Sequence, residues 1–406
     1  MTSNGAARWL NRTVIAIGLA SLFSDWSHEI ASALLPAFLA SFGAAAAWLG
    51  VIEGVADGVA SFTKMGSGFY TDRWQRRKPI AVAGYVVTAL GTAAIALASN
   101  AWQVLLARAA AWLGRGVRTP VRKALLAAAV TRDSYGRAFG FERMMDTCGA
   151  IVGPLSALLL LQLLRHDYAR IFALTLIPGL AAALLLAFAV QERQRTPVSH
   201  LSLALSLRAL PARFRSLLLA VGLFGLGDFA HTMLILLAVQ KLLPALGAAR
   251  AATLATGLYV LHNVLYASFS MIGGTLADRM NKAALLGCAY FLAASMALVI
   301  VFLPLNLWTL VAIFVMAGIY IALEETLEDS LCAELVGEGQ HGLAFGTLAT
   351  VNGIGDLVSS VAVGVLWSLY GTGAAFAYSA TLFAAGGLLV LRLARNSADG
   401  GLARAR

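Results

Sequence analysis

The chain has little charge, little cysteine and no recognisable nucleotide loop. Only 12% of its 406 residues are Asp, Glu, Lys or Arg, against roughly 25% in soluble domains, so most of its surface is not built to face water. Its three cysteines, Cys148, Cys288 and Cys332, fall inside apolar runs without the spacing of a metal knuckle, and read as small buried hydrophobes. Gly114-Arg-Gly116 is the nearest approach to a phosphate-binding loop, but it lacks the following Lys-Ser or Lys-Thr and lies within an apolar run. That leaves an ATP-driven pump unsupported. No nucleophile–base pair stands out, so an enzyme is not indicated either.

What the chain does have is apolar length. It is 60% hydrophobic with a mean hydropathy of +0.79, and apolar runs of about 20 residues, enough to cross a bilayer as a helix, recur throughout. The expected fold is an all-α polytopic membrane protein of twelve transmembrane helices in two pseudo-symmetric six-helix bundles. The spans are expected near 13–42, 48–70, 79–98, 102–129, 137–164, 170–190, 216–243, 252–275, 283–304, 307–333, 343–370 and 373–393. The only long polar connection, 191–213, carries Arg193, Arg195, Arg208 and Arg213 with Pro197 and Pro211. It divides an N-terminal bundle (1–190) from a C-terminal one (214–393), followed by a tail (394–406). Within it the Leu201–Leu207 alternation fits a short strand, or an interfacial helix as the preferred reading. Arg8 and Arg12 before the first run mimic a signal peptide, yet Asp25, His28 and Glu29 interrupt that run and it continues to Phe42, as expected of an uncleaved first span.

The net charge of +10 does not indicate nucleic acid, because the basic residues gather in short loops between apolar runs. One side collects Arg8, Arg12, Arg73, Arg76, Arg77, Lys78, Arg132, Arg137, the central loop, Arg279, Lys282, Arg395, Arg404 and Arg406. The other has little beyond Arg165, Arg170 and Arg250. The basic side is expected to face the cytoplasm, with both termini inside and the chain in the cytoplasmic (inner) membrane.

The densest charge in the first half is Gly68-Phe-Tyr-Thr-Asp72-Arg73-Trp-Gln-Arg76-Arg77-Lys78. It returns in weaker form at Gly274-Thr-Leu-Ala-Asp278-Arg279-Met-Asn-Lys282, an offset of 206 residues (72 to 278). Asp25-x-x-His28 is echoed by Asp228-x-x-His231, and Ala138-Phe-Gly140 by Ala344-Phe-Gly346. Two halves repeated in the same direction are a pattern of alternating-access transporters. The loop motif at Gly68, Asp72, Arg73, Arg76 and Arg77 resembles the G-x-x-x-D-R-x-x-R-R signature of the major facilitator superfamily, and the resemblance covers essentially the whole chain. Gly149, Gly153 and Pro154 are similar to that family's antiporter motif, with Ala157 and Leu158 where the pattern has glycines. The resemblance implies spans 1, 4, 7 and 10 around a central cavity, with a latch at Gly68, Asp72, Arg73, Arg76, Arg77, Asp278 and Arg279.

Ionisable residues inside a span cost at least about 2.5–3.5 kcal/mol at mid-bilayer, so they normally face a partner or a watery cavity. Asp25, His28 and Glu29 share one helical face, and Arg115, Arg118 and Arg122 follow another. Glu53, Asp57, Lys64, Glu142, Arg143 and Asp146 are expected to form an interhelical polar network. The repeat pairs Arg118 with Glu325 and Arg122 with Asp329, a gate or a set of solute contacts. The two Asp-x-x-His pairs fit a proton relay, simple helix registration or, more weakly, a metal site using Asp25, His28, Asp228 and His231.

The reading is a monomeric secondary transporter moving a small solute by alternating access, coupled to protons and exporting, with no cofactor. Asp25, His28, Glu29, Arg118, Asp228, His231 and Glu325 line its cavity. The alternatives are a ferroportin-like divalent metal exporter and a membrane sensor or scaffold that has lost transport.

Overall fold

Asparagines placed just before apolar runs start many of the helices. The Asn11 side chain accepts from the backbone N–H of Thr13 and Val14 at 2.9 and 3.0 Å. Asn100, Asn281 and Asn306 do the same for Gln103, Ala284 and Thr309. Each satisfies donors that a helix start leaves open. A computed structural model describes residues 9–43, 46–192 and 202–404, almost all of them helical and none in a strand. Arg8, Arg193, Arg195, Pro197, Leu201 and Arg406 lie outside the described residues. The segment after Leu201 forms a short helix, Leu203–Arg208.

The twelve spans are present among the described residues, in two compact units. The first unit comprises Met1–Ala209 and Val336–Thr350, the second Leu210–Leu335 and Val351–Arg406. Among the described residues, six helices are long and apolar enough to cross a membrane by length and composition alone. Span 4 is not among them, since it carries Arg108, Arg115, Arg118, Arg122 and Lys123.

In the first unit the spans are Arg12–Ser41, Ala46–Thr71, Lys78–Ala94, Ala101–Ala128 and Tyr135–Leu163, followed by a sixth in two pieces, Tyr168–Leu174 and Leu176–Ala189. Span 1 packs along spans 5 and 6, span 4 along spans 2 and 3, and span 3 on span 6. Gly149 and Gly153 of span 5 allow the close approach to span 1. A Cβ on Gly149 would stand 3.1 Å from Cβ of Asp25, and one on Gly153 would strike the Glu29 side chain. These glycines therefore seat span 5 against the charged face of span 1. Beyond that face an apolar cluster closes the unit, with Ile30, Leu34 and Phe38 packed among Val104, Ile171 and Phe172.

In the second unit span 7 begins as Ala212–Gly225, loses helical form over residues 226–231, and resumes at Thr232. No loop separates it from span 8. The helix Thr232–Ala277 turns instead at Gly247, with φ 74° and ψ 165°. The helix from His341 to Arg404 turns in the same way at Gly371, with φ 85° and ψ 175°, which divides spans 11 and 12. That backbone region is essentially closed to residues with a Cβ. Spans 9 (Lys282–Phe302) and 10 (Leu307–Leu335) pack together, and span 8 packs on span 10. An aromatic core ties spans 7, 9 and 12, with Phe224 stacked 3.8 Å from Tyr290 and 4.6 Å from Phe383.

The cysteines correct one expectation. Cys332 is buried, but Cys148 is only partly so and Cys288 is exposed. A membrane-spanning helix is apolar on its outer face as well as its packed one, so apolar surroundings in sequence do not fix burial.

Candidate functional site

The first unit sets its charges in pairs that link spans 1, 2, 4 and 5. Arg115 reaches Asp25 at 3.2 Å. Arg108 donates to Glu53 at 3.0 Å and to Ser32 at 2.9 Å, meets the His28 ring nitrogen at 3.4 Å, and lies 4.1 Å over the Trp112 ring. Trp112 in turn donates to Asp57 at 2.8 Å. His28 also faces Ser32 at 3.2 Å and Glu29 at 3.7 Å. Two turns after Arg115, towards the basic side, Arg122 binds Ser21 at 2.6 Å, Glu142 at 2.7 Å and Asp146 at 3.6 Å, while Arg143 pairs with Asp146 at 3.3 Å. The expected polar network thus falls into two parts. Glu53 and Asp57 join the middle of span 4, and Glu142, Arg143 and Asp146 join its later turns.

Arg118 stands apart. It is 2% exposed, its guanidinium lies 4.2 Å over the Tyr85 ring, and its Nε and Nη1 have no hydrogen-bond partner among the described residues. Arg108, Arg115, Arg122 and Arg143 each meet a carboxylate; Arg118 does not.

The loop motif forms a helix cap. Asp72 accepts from the backbone N–H of Gly342 at 3.0 Å and of Leu343 at 2.7 Å, at the start of the helix beginning at His341. Arg77 holds the same carboxylate at 2.6 Å and the Glu338 carbonyl at 3.1 Å. Gly68 packs directly on the Gly342 carbonyl, where any Cβ would collide. Arg73 lies 3.7 Å over the Phe69 ring and Arg76 is exposed. In the weaker copy, Asp278 and Arg279 stand in the turn between Ala277 and Lys282.

The spans of the second unit are rich in acids and poor in Lys and Arg. Within the expected spans 7–12, Lys241 and Arg392 are the basic residues, both near span ends. The Asp228 carboxylate, in the break of span 7, accepts from the Tyr320 hydroxyl at 3.1 Å. The free backbone of that break is met by side chains. Ser359 donates to the Asp228 carbonyl, Tyr378 donates to the Leu226 carbonyl at 2.9 Å, and the Ala230 N–H donates to Ser360 at 3.3 Å. Unwound backbone is tolerated at membrane depth only when satisfied in this way. Glu324 lies within electrostatic reach of Asp228, Glu325, Glu328 and Asp356, and its Oε2 is buried with no partner among the described residues. Tyr266 donates to Glu325, and Glu328 accepts from Tyr290 at 2.6 Å and Asn352 at 2.8 Å. Asp329 is buried one turn after Glu325. His231 packs 4.8 Å from the ring of His262.

The two Asp-x-x-His copies are therefore not alike. Asp25 and His28 sit on a continuous helix and turn to different arginines, whereas Asp228 and His231 stand in a broken one. Several contacts lay outside the sequence reading, including Ser21, Tyr320, Asp356 and His262. Arg108, which with Gly114 loosely resembles the superfamily's span-4 arginine motif, stands seven residues before Arg115 on the same helical stripe as Arg115 and Arg122.

The comparisons with known proteins agree with this architecture. The Major Facilitator Superfamily matches residues 17–243 and 217–405. An uncharacterised MFS-type transporter of Methanocaldococcus jannaschii is 25% identical over 389 residues, 96% of each chain. The multidrug resistance protein MdtH of Photorhabdus laumondii is 35% identical over 119 residues, 28% of this chain and 29% of that one. Among solved structures, the E. coli fucose:proton symporter FucP superposes with a TM-score of 0.75 at 17% identity, over 94% of this chain and 99% of that one. With the family matching both halves of the sequence and the same fold in its solved relatives, the chain is a transporter of the Major Facilitator Superfamily.

Proposed function

We propose that this transporter exports a small solute across the cytoplasmic membrane by alternating access, in exchange for protons, with both termini in the cytoplasm. The carrying observation is the Asp228 carboxylate in the break of span 7, which accepts from Tyr320 and lies within electrostatic reach of Glu324, Glu325 and Glu328. Carboxylates crowded together in a low-dielectric interior favour the uptake of protons or a mobile cation. Half-helix ends and unwound backbone are also where transporters of this architecture hold ions. Asp228 is assigned the proton-carrying role, facing Tyr320, Glu324, Glu325, Glu328 and Asp356. Asp25, His28 and Glu29 provide the titratable groups of the first unit, beside Arg108 and Arg115. Arg118 is assigned to an anionic group of the solute, because it is a buried cation without a carboxylate of its own. Export is supported by the local likeness to a multidrug resistance protein.

Divalent-metal export is the weaker reading. It needs ligands that converge, and Asp25 and His28 turn to Arg115 and Arg108 instead. Among the described residues no three His, Cys, Asp or Glu side chains are grouped to hold a metal. The test begins with a thermal-shift screen of the purified protein against metabolites and metals, since a ligand of the native state raises its apparent stability. It continues with the hit in proteoliposomes under an imposed pH gradient. Accumulation that follows the gradient supports the proposal; flux indifferent to it removes proton coupling.

A further inference from the structure

On the basic side of the first unit a cavity of about 640 Å³ opens where the start of span 3 meets the end of span 6. Arg76, Lys78 and Glu192 form its polar part, and Pro79, Val82, Ala83 and Ala187 its apolar wall. The cations there are not neutralised. Arg76 is exposed and makes no hydrogen bond or ion pair among the described residues. Lys78 Nζ donates to the Val190 carbonyl at 2.9 Å, and Arg12 donates to the Phe188 carbonyl at 3.1 Å, so neither meets a carboxylate. The oxygens of Glu192 are taken by the backbone N–H groups of Arg77 and Lys78, which makes Glu192 a cap for span 3 rather than a counter-ion for Arg76.

We propose that this cavity binds the phosphodiester headgroup of an anionic phospholipid, with one acyl chain along the apolar wall. Two features favour a lipid over a free anion. The charged residues and the apolar wall succeed one another along the span 3 axis, from Arg76 and Lys78 at the membrane surface to Val82 and Ala83 one turn deeper. The outer faces beside the cavity are also strongly apolar and unpacked, with Leu184 55% and Phe188 77% exposed, as a lipid-facing surface requires. Basic pockets between membrane helices are a known setting for such headgroups. The site is joined to the helix cap by sequence. Arg77, between two residues that line the cavity, holds Asp72 and the Glu338 carbonyl. A bound headgroup fixes the segment Arg76–Lys78 and with it the cap.

The experiment is native mass spectrometry and thermal shift on the delipidated full chain, titrated with phosphatidylglycerol, phosphatidylcholine or inorganic phosphate. The expected result is preferential binding and stabilisation by phosphatidylglycerol. Arg76→Gln binds it about fivefold more weakly, as for the loss of one surface cation, and Arg76→Lys restores it. Ala83→Trp also weakens binding without changing charge, because it fills the chain groove from an exposed position. Equal binding of the two lipids, unchanged binding by Arg76→Gln, or displacement of the lipid by millimolar phosphate would each overturn the proposal. Melting temperatures of the lipid-free variants equal to that of the parent show that folding is not the cause.

Discussion

Asp72, on the turn after span 2, accepts the backbone N–H of Leu343 at 2.7 Å and so caps a helix that begins about 270 residues later. That helix starts within the first unit and continues into the second beyond Thr350. A carboxylate at a helix N-terminus also meets the positive end of the helix dipole, and Arg77 fixes its orientation.

Asp72→Ala should therefore lower stability by about 3–5 kcal/mol, since it removes a charged cap and leaves the buried Arg77 without its carboxylate, and slow solute flux. Asp278→Ala, in the weaker copy, should cost less. Urea unfolding in detergent and proteoliposome flux measure the two effects.

Arg122 and Glu142 are both buried and 2.7 Å apart. Removing one partner of such a pair costs about 3–5 kcal/mol, because the other is left uncompensated. Arg122→Leu should fold poorly, and Arg122→Leu with Glu142→Leu should recover much of the loss. A double-mutant cycle on melting midpoints checks this; a double variant as damaged as the sum of the singles argues against coupling.

Arg118 has no carboxylate to strand. Arg118→Gln should leave the melting temperature near that of the parent while raising the KM for an anionic solute by tenfold or more, the order expected for a charged hydrogen bond. Parallel stability and transport assays separate a binding role from a packing one.

Gly371, at a helix-to-helix turn, and Gly257, inside a helix, predict opposite signs for one substitution. Gly371→Ala should destabilise by about 1–3 kcal/mol because its backbone excludes a Cβ. Gly257→Ala, in a helix with open space around it, should be neutral or gain up to about 1 kcal/mol. Thermal unfolding of the two variants decides.

Much of the fold was legible in the sequence because hydrocarbon thickness sets span length, although the caps at Asn11, Asn100, Asn281 and Asn306 went unread. The repeat at Asp72 and Asp278 exposed the two halves. The break in span 7 was not read, although Gly225 precedes it and Gly227 lies within it, because residues 226–231 stay apolar apart from Asp228 and His231 and do not interrupt the hydropathy. Pairings were the least legible part. Periodicity put Arg115, Arg118 and Arg122 on one stripe, but which acids Arg115 and Arg122 meet is decided by how closely spans 1 and 5 approach, and that is set by Gly149 and Gly153. The shared Asp-x-x-His spelling likewise concealed two backbones, one helical and one unwound.

Asp228 tests the central claim most directly. Proteoliposomes holding the parent or Asp228→Asn are given a solute found by the thermal-shift screen, then assayed for accumulation under a pH gradient and for solute exchange without one. The account predicts that the parent accumulates solute in response to the gradient, while Asp228→Asn exchanges solute but no longer accumulates it. Gradient-driven accumulation by Asp228→Asn equal to that of the parent would contradict it.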